Sequence, residues 1–309
     1  MENTKKYNRW KLQIYQINND QGRQVIVVSK GTMYNLTFLR PTIKTSLDLM
    51  MVAYNNGMKV SDYLKEILSS TSSIEQLNKE KIDLKKSSLL PVDSPEVWAF
   101  GVTYGDSMKE RQAESETPDI YSKIYFAERP ESFFKSTLSR LRKNNDSVGI
   151  RSDSGWDIPE PELTFIIYNK EIIGFTCGND MSSRKIEGEN PLYLPQAKVY
   201  KYSASIGPCW VPVECLDYNN LNVDMTINRN SKIVFKGNCN TSIMKRKCHE
   251  LNDWLNRSNE ILDGTAVMTG TGIIPPMEFS LKEGDEISIS IENIGTLNNF
   301  VISVWWFIL

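Results

Sequence analysis

"PEPELTFIIYNKEIIGFTCGND", residues 159–180, decides the fold. A β-branched and aromatic run, LTFIIYN, reaches the polar turn YNKE and is answered by a second run, EIIGFTC, which predicts two antiparallel strands joined by a tight turn. Side chains two residues apart on a strand share a face, so Glu160 and Glu162 project together with Cβ atoms roughly 7 Å apart. The returning strand brings Asp180 back beside them. Pro161, between the glutamates, cannot donate a ladder hydrogen bond, which fits the first residues of a strand or an edge.

Two ionised carboxylates at the mouth of an apolar run repel each other and lose hydration, which favours a compensating cation. Carboxylates with no histidine or cysteine beside them form a hard donor set, suited to Mg²⁺, Mn²⁺ or Ca²⁺ over zinc. The residues alone leave a plainer alternative open, in which the glutamates are solvated at a strand start and Asp180 is a turn residue.

Composition narrows the chemistry further. The 309 residues carry a net charge of −2 with acids and bases nearly balanced, so nothing points to a nucleic-acid or membrane partner, and a small molecule is expected instead. The amino terminus lacks the apolar stretch of a signal peptide, and no run approaches the ~20 apolar residues of a membrane span. A cytoplasmic location is the expectation. The cysteines Cys177, Cys209, Cys215, Cys239 and Cys248 have no CxxC spacing and read as reduced packing residues. The single histidine, His249, falls in a helical pattern, IMKRKCHELNDWL, where a surface role is expected; Ser-His-Asp hydrolysis and histidine-rich metal sites are then excluded.

Outward from the hairpin, the chain divides. KLQIYQI, QVIVVS and TMYNLTFL read as strands, SLDLMMVAYNNG and VSDYLKEILSS as helices, and a lysine-rich stretch then gives way to proline punctuation near residues 88–94. We therefore expect a small N-terminal α+β domain over 1–90 and a larger domain over 91–309. The second is strand-dominated, with helical patterns in SMKERQAES, PESFFKSTLSRL and SIMKRKCHELNDWLNRS. The class is α+β, built on curved antiparallel or mixed sheets. The closing VWWFIL is expected to be buried against the sheet or a neighbouring subunit.

From about residue 97 to the end, the chain resembles the fumarylacetoacetate hydrolase superfamily. The resemblance rests on WAFGVTY (98–104), FFK (133–135), EPEL (160–163), GFTCGNDMSSR (174–184), LPQAKVY (194–200), SIGPCWV (205–211), TGTGIIP (269–275) and LKEGDEISISIENIGTLNN (281–299), in that order. RSDSGWDIPEPEL and EGENPLYLPQAKVY are similar to the branch containing 2-keto-3-deoxy-D-arabinonate dehydratase. The resemblance implies a mixed β-roll, Mg²⁺ held by Glu160, Glu162 and Asp180, and a homodimer or homotetramer. It also implies that Lys198 lies at the substrate, that Thr271 helps hold a carboxylate, and that Tyr104 and Arg184 line the same pocket. Arg184 either orients a metal ligand or forms a structural ion pair.

One departure directs the choice of reaction. Hydrolases of this superfamily commonly carry a His-Glu pair after the tyrosine of the TY motif, whereas TYGDSMKERQAES has Ser107 at the histidine position and Glu110 three residues later. Serine without a histidine is a poor base for activating water. A 2-keto-3-deoxy sugar acid, a 2-oxo acid, needs other chemistry: removal of a C3 proton and departure of the C4 hydroxyl as water. Glu114 and Glu110 are the candidates for that base and acid, with Lys198 anchoring the carboxylate or assisting proton transfer. Dehydration to 2,5-dioxopentanoate is the leading expectation and C–C hydrolysis of an acylpyruvate the alternative. Lys135 of FFK falls either on the pocket's polar wall or on a helix surface.

Overall fold

The structure, a computed structural model, describes residues 11–69, 76–77, 82–84, 88–105, 112 and 118–305. The hairpin forms as its sequence predicts. Tyr168 pairs with Glu171 across Asn169 and Lys170, whose φ angles of 46° and 64° make the two-residue turn that matches strand twist.

The chain begins with β1 (Leu12–Asn19), β2 (Gly22–Ser29) and β3 (Thr32–Asn35), continues through α1 (Leu36–Leu39), α2 (Ser46–Asn55) and α3 (Val60–Ser69), and reaches β4 (Gln76–Leu77). Next come β5 (Glu96–Phe100), α4 (Pro118–Phe126), β6 (Ser132–Thr137), β7 (Leu141–Arg142), β8 (Ser147–Arg151) and β9 (Asp157–Ile158), then the hairpin strands β10 (Pro161–Tyr168) and β11 (Glu171–Asp180). After β12 (Ser182–Ser183), helices α5 (Arg184–Glu189) and α6 (Leu194–Lys198) lead to β13 (Ala204–Pro212). The remainder is β14 (Asn222–Arg229), β15 (Lys232–Asn240), α7 (Cys248–Asn256), β16 (Ala266–Met268), β17 (Glu286–Ile291) and β18 (Gly295–Val304).

These strands make one large mixed sheet, ordered β4-β3-β2-β1-β13-β11-β10-β16-β5-β6 with β7 beside β13, and a five-stranded sheet ordered β15-β14-β17-β18-β8. The two sheets enclose the main core. Leu163, Phe165 and Ile167 of β10 pack there with Met225, Ile289 and Leu297 of the smaller sheet. Ile166, from the opposite face of β10, joins Trp210 and the apolar sides of α2 and α3 in a second core. Strand alternation thus assigns the even positions of this segment, Glu160 and Glu162 among them, to the face turned away from the inter-sheet core. The N-terminal strands extend the large sheet directly, because Ile14 of β1 pairs with Trp210 of β13.

Two segments differ from their sequence reading. PESFFKSTLSRL forms β6 and β7 instead of a helix, since β5 offers an edge that Phe133, Phe134 and Ser136 pair along; aromatic residues accept that pairing as readily as a helical turn. The end of TMYNLTFL is the helical turn α1, started by Asn35, whose side chain accepts from the Phe38 N–H at 3.0 Å. Of VWWFIL, Val304 closes β18 against the core and Trp305 is exposed, while 306–309 lie outside the described residues. Among the described residues, no helix is long and apolar enough to cross a membrane.

Candidate metal centre

Glu160 and Asp180 face each other across the hairpin: each backbone N–H donates to the other's carbonyl, at 3.1 and 3.0 Å. Glu162 lies opposite Gly178, where any side chain would collide with Thr164 Oγ1, 2.1 Å from the position of a Cβ. A glycine there leaves the face open for the acids. Glu160, Glu162 and Asp180 are all buried, at 1–2 % exposure, and each offers an oxygen within 4.8 Å of the others. The convergence expected from the hairpin is therefore present.

Three buried cations pair with two of the three anions, Glu160 and Asp180. Lys198, the last residue of α6, places Nζ 2.6 Å from Glu160 Oε2, 3.3 Å from Asp180 Oδ2 and 2.6 Å from Ser182 Oγ. Arg184, the first residue of α5, pairs with Glu160 Oε1 at 3.0 Å. Lys135 reaches in from β6, forms an ion pair with Asp180 Oδ1, and donates to the carbonyls of Met181 at 2.8 Å and Lys198 at 2.6 Å. Burial lowers the Lys135 pKa against the opposing pull of Asp180. Its position on a strand interior, not a helix surface, follows from the register of β6.

Glu162 is treated differently. Its Oε2 accepts from the backbone N–H of Gly270 at 2.6 Å. Burial holds its pKa well above the ordinary carboxylate range, and the charges of Asp180 and Glu160 push the same way. Gly270 has φ +90°, and a Cβ on it would strike Thr103 Oγ1, so the TGT turn and the VTY strand end lock together; Thr103 Oγ1 also donates to the Thr269 carbonyl at 2.6 Å.

The remaining expected residues are placed as follows. Tyr104 is buried beside Gly272, with its phenol pKa raised well above 10 by burial and also by charges that include Glu162. Thr271 is buried, and its hydroxyl accepts from the Ile273 N–H at 3.1 Å. Glu110, Glu114 and Ser107 lie outside the described residues. His249 is exposed at the start of α7, hydrogen-bonded to Tyr218 Oη at 2.5 Å. Lys135, left by the sequence between the pocket wall and a helix surface, joins the cluster, whereas Ser182 and the Gly270 N–H were not among the expected site groups.

A sheet-built cluster of three buried carboxylates, braced by lysines from β6 and α6, has the all-oxygen donor set of a hard-cation site on a β-rich mixed-sheet fold. The chain belongs to the family described as fumarylacetoacetate (FAA) hydrolase C-terminal, whose pattern matches residues 96–302. It is 43 % identical over 283 residues to a probable 2-keto-3-deoxyxylonate dehydratase of Haloferax volcanii, covering 91 % of this chain and 96 % of that one. It is 42 % identical over 214 residues to the 2-dehydro-3-deoxy-D-arabinonate dehydratase of Saccharolobus solfataricus, covering 67 % and 72 % of the two chains. A solved structure of 2-keto-3-deoxy-D-arabinonate dehydratase complexed with magnesium and 2,5-dioxopentanoate superimposes with a TM-score of 0.75 at 30 % identity, covering 94 % of this chain and 99 % of that one.

Proposed function

We propose that this protein is a Mg²⁺-dependent dehydratase that removes water from a 2-keto-3-deoxy pentonate, of the arabinonate or xylonate type, to give 2,5-dioxopentanoate. The observation that carries the reading is the buried Glu160, Glu162 and Asp180 cluster, in a chain 43 % identical to a probable dehydratase of this class. The donor set fits the ion: three carboxylates, all oxygen, suit a hard dication, and Mn²⁺ or Ca²⁺ are possible substitutes.

Bound there, Mg²⁺ supplies Lewis acidity toward the substrate's ketone and carboxylate oxygens, which acidifies C3. The protein's own groups do the rest. Arg184 pairs with Glu160 and Lys135 with Asp180, and each holds its partner carboxylate in orientation. Lys198 presents an ammonium at the edge of the cage, where it anchors the substrate carboxylate or passes a proton. Thr271 and Tyr104 are assigned to the pocket wall. Removal of the C3 proton and protonation of the departing C4 hydroxyl are assigned to Glu114 and Glu110, on the sequence. Loss of water leaves an unsaturated ketone; moving a proton from C5 to C3 gives a C4–C5 enol, and its tautomer is the aldehyde of 2,5-dioxopentanoate.

The same reading takes the chain as cytoplasmic and as a homodimer or homotetramer, for which exposed Ile233 and Val234 on the edge strand β15 are support. It also keeps a domain boundary near residue 90, supported by a family match that begins at 96.

The test is incubation of the purified protein with Mg²⁺ and 2-keto-3-deoxy-D-arabinonate or -xylonate, with 2,5-dioxopentanoate as the expected product. Release of pyruvate from acylpyruvates, without any dehydration product, would replace this reading with a C–C hydrolase.

A further inference from the structure

The two oxygens of Asp180 have separate owners. Oδ1 is paired with Lys135, and Oδ2 faces Lys198 Nζ at 3.3 Å. Glu160 shows the same division, with Oε1 toward Arg184 and Oε2 toward Lys198. Lys198 is the cation common to both carboxylates, and each has a second cation of its own on the other oxygen.

Neutralising Asp180 does not require Lys135, because Lys198 already lies against the same carboxylate. Yet the protein buries this second ammonium completely, which costs several kcal/mol unless its hydrogen bonds are made. Two are made, to Met181 O and Lys198 O, and the ion pair with Asp180 Oδ1 supplies the third contact. The two carbonyls are backbone atoms at the end of β11 and the end of α6. Lys135 thereby fixes the rotation of the Asp180 carboxylate relative to the frame that carries Lys198.

We propose that Lys135 is a positioning residue that restricts Asp180 to one-oxygen ligation and so biases the cage toward Mg²⁺ over Ca²⁺; the inference rests on the metal-dependent reading above. Mg²⁺ demands six ligands in near-ideal octahedral geometry at about 2.0–2.1 Å, whereas Ca²⁺ takes six to eight and uses carboxylates in either one- or two-oxygen mode. A two-oxygen grip by Asp180 would have to break the Lys135 ion pair inside the protein. The larger ion loses that option and the smaller one loses nothing. Arg184 imposes the same restriction on Glu160.

Calorimetric titration of the full chain with Mg²⁺ alone and with Ca²⁺ alone tests this, in wild type and in Lys135→Gln. Glutamine keeps amide donors for the Met181 and Lys198 carbonyls and removes the charge that holds Oδ1. The expected result is a preference for Mg²⁺ in wild type that falls about tenfold in Lys135→Gln, the scale on which outer-sphere partners act on metal affinity. An unchanged Ca²⁺/Mg²⁺ ratio in a folded variant overturns the proposal. Should the variant not fold, wild type labelled with ¹³C at its aspartate carboxyls decides alone, through the splitting of the aspartate stretches that Ca²⁺ loading shifts, Asp180 being the aspartate of the cluster. One-oxygen ligation supports the proposal and a two-oxygen signature overturns it. Wild type that binds neither ion and forms no 2,5-dioxopentanoate fails the functional reading itself, a result distinct from an active enzyme whose selectivity ignores Lys135.

Discussion

Lys198 Nζ lies 2.6 Å from Glu160 Oε2 while Arg184 holds Oε1 of the same carboxylate, so Glu160 is clasped between two buried cations. Glu162 instead accepts from the Gly270 backbone and feels the repulsion of its acidic neighbours. The two glutamates are neighbours in sequence and opposites in energetics.

That contrast predicts different stabilities for two variants that both lose the metal. Glu160→Ala strips Lys198 and Arg184 of a shared partner and should destabilise the metal-free protein by about 3–5 kcal/mol, the usual cost of leaving a buried charge uncompensated. Glu162→Gln keeps an acceptor for the Gly270 N–H and removes a repulsive charge, so the metal-free protein should be no less stable than wild type. Denaturant unfolding in EDTA measures both, and calorimetry should show Mg²⁺ binding lost in each.

Metal withdrawal should act on turnover and on stability together. Dialysis against EDTA is expected to abolish dehydration, and Mg²⁺ or Mn²⁺ to restore it. Because the ion binds the folded cage and not the dispersed carboxylates of the unfolded chain, Mg²⁺ at a hundredfold excess over its dissociation constant should add about 2.7 kcal/mol. A thermal midpoint that does not move with Mg²⁺ concentration would contradict the cage.

Asp157 supplies a pH dependence separate from the metal ligands. It is buried on β9, and burial raises its pKa to about 6, only partly offset by hydrogen bonds from Ser154 and the Arg151 N–H. A folded pKa above the unfolded value of about 3.9 means the folded state binds the extra proton. Its contribution is therefore fully present below about pH 4 and is lost as pH rises through about 6, on the order of 3 kcal/mol in all. Asp157→Asn should gain stability relative to wild type across that window. Unfolding midpoints of the two proteins at pH 4, 5, 6 and 7 give the difference directly; a constant gap would refute the assignment.

Much of this site was legible because a hairpin has a fixed period and a fixed partner. Glu160, Glu162 and Asp180 were placed by alternation and by the YNKE turn, both of which are local. The surplus of strands and the surface position of His249 followed from patterning of the same kind. Lys135 was left between pocket wall and helix surface, because its environment is made by β5, β11 and α6, segments 30 to 60 residues away or more, and PESFFKSTLSRL supports a helical spacing as well as a strand. Lys198 was placed only through the family resemblance for the same reason: only the close of α6 over the hairpin buries it. The Gly270 N–H carries no side chain and so leaves no residue-type signal for the role it plays toward Glu162.

Gly270→Ala tests whether that backbone contact matters. The residue has φ +90°, a region an L-residue adopts at a cost, and a Cβ would lie 2.1 Å from Thr103 Oγ1 and 3.1 Å from the Phe100 carbonyl. Strain of this kind typically costs about 1–3 kcal/mol, and a collision with backbone adds to it. The TGT turn must then move, taking its N–H away from Glu162 Oε2, so Mg²⁺ affinity should fall about tenfold, as for other groups that orient a ligand. Adding Thr103→Ser does not help, since the hydroxyl remains. Thr103→Ala removes the nearest atom but leaves the φ and the Phe100 carbonyl in place, so the double variant should recover part of the stability and only part of the Mg²⁺ affinity. Full recovery of both would show that the clash alone mattered; unchanged Mg²⁺ affinity in Gly270→Ala would show that Glu162 holds its geometry without the turn.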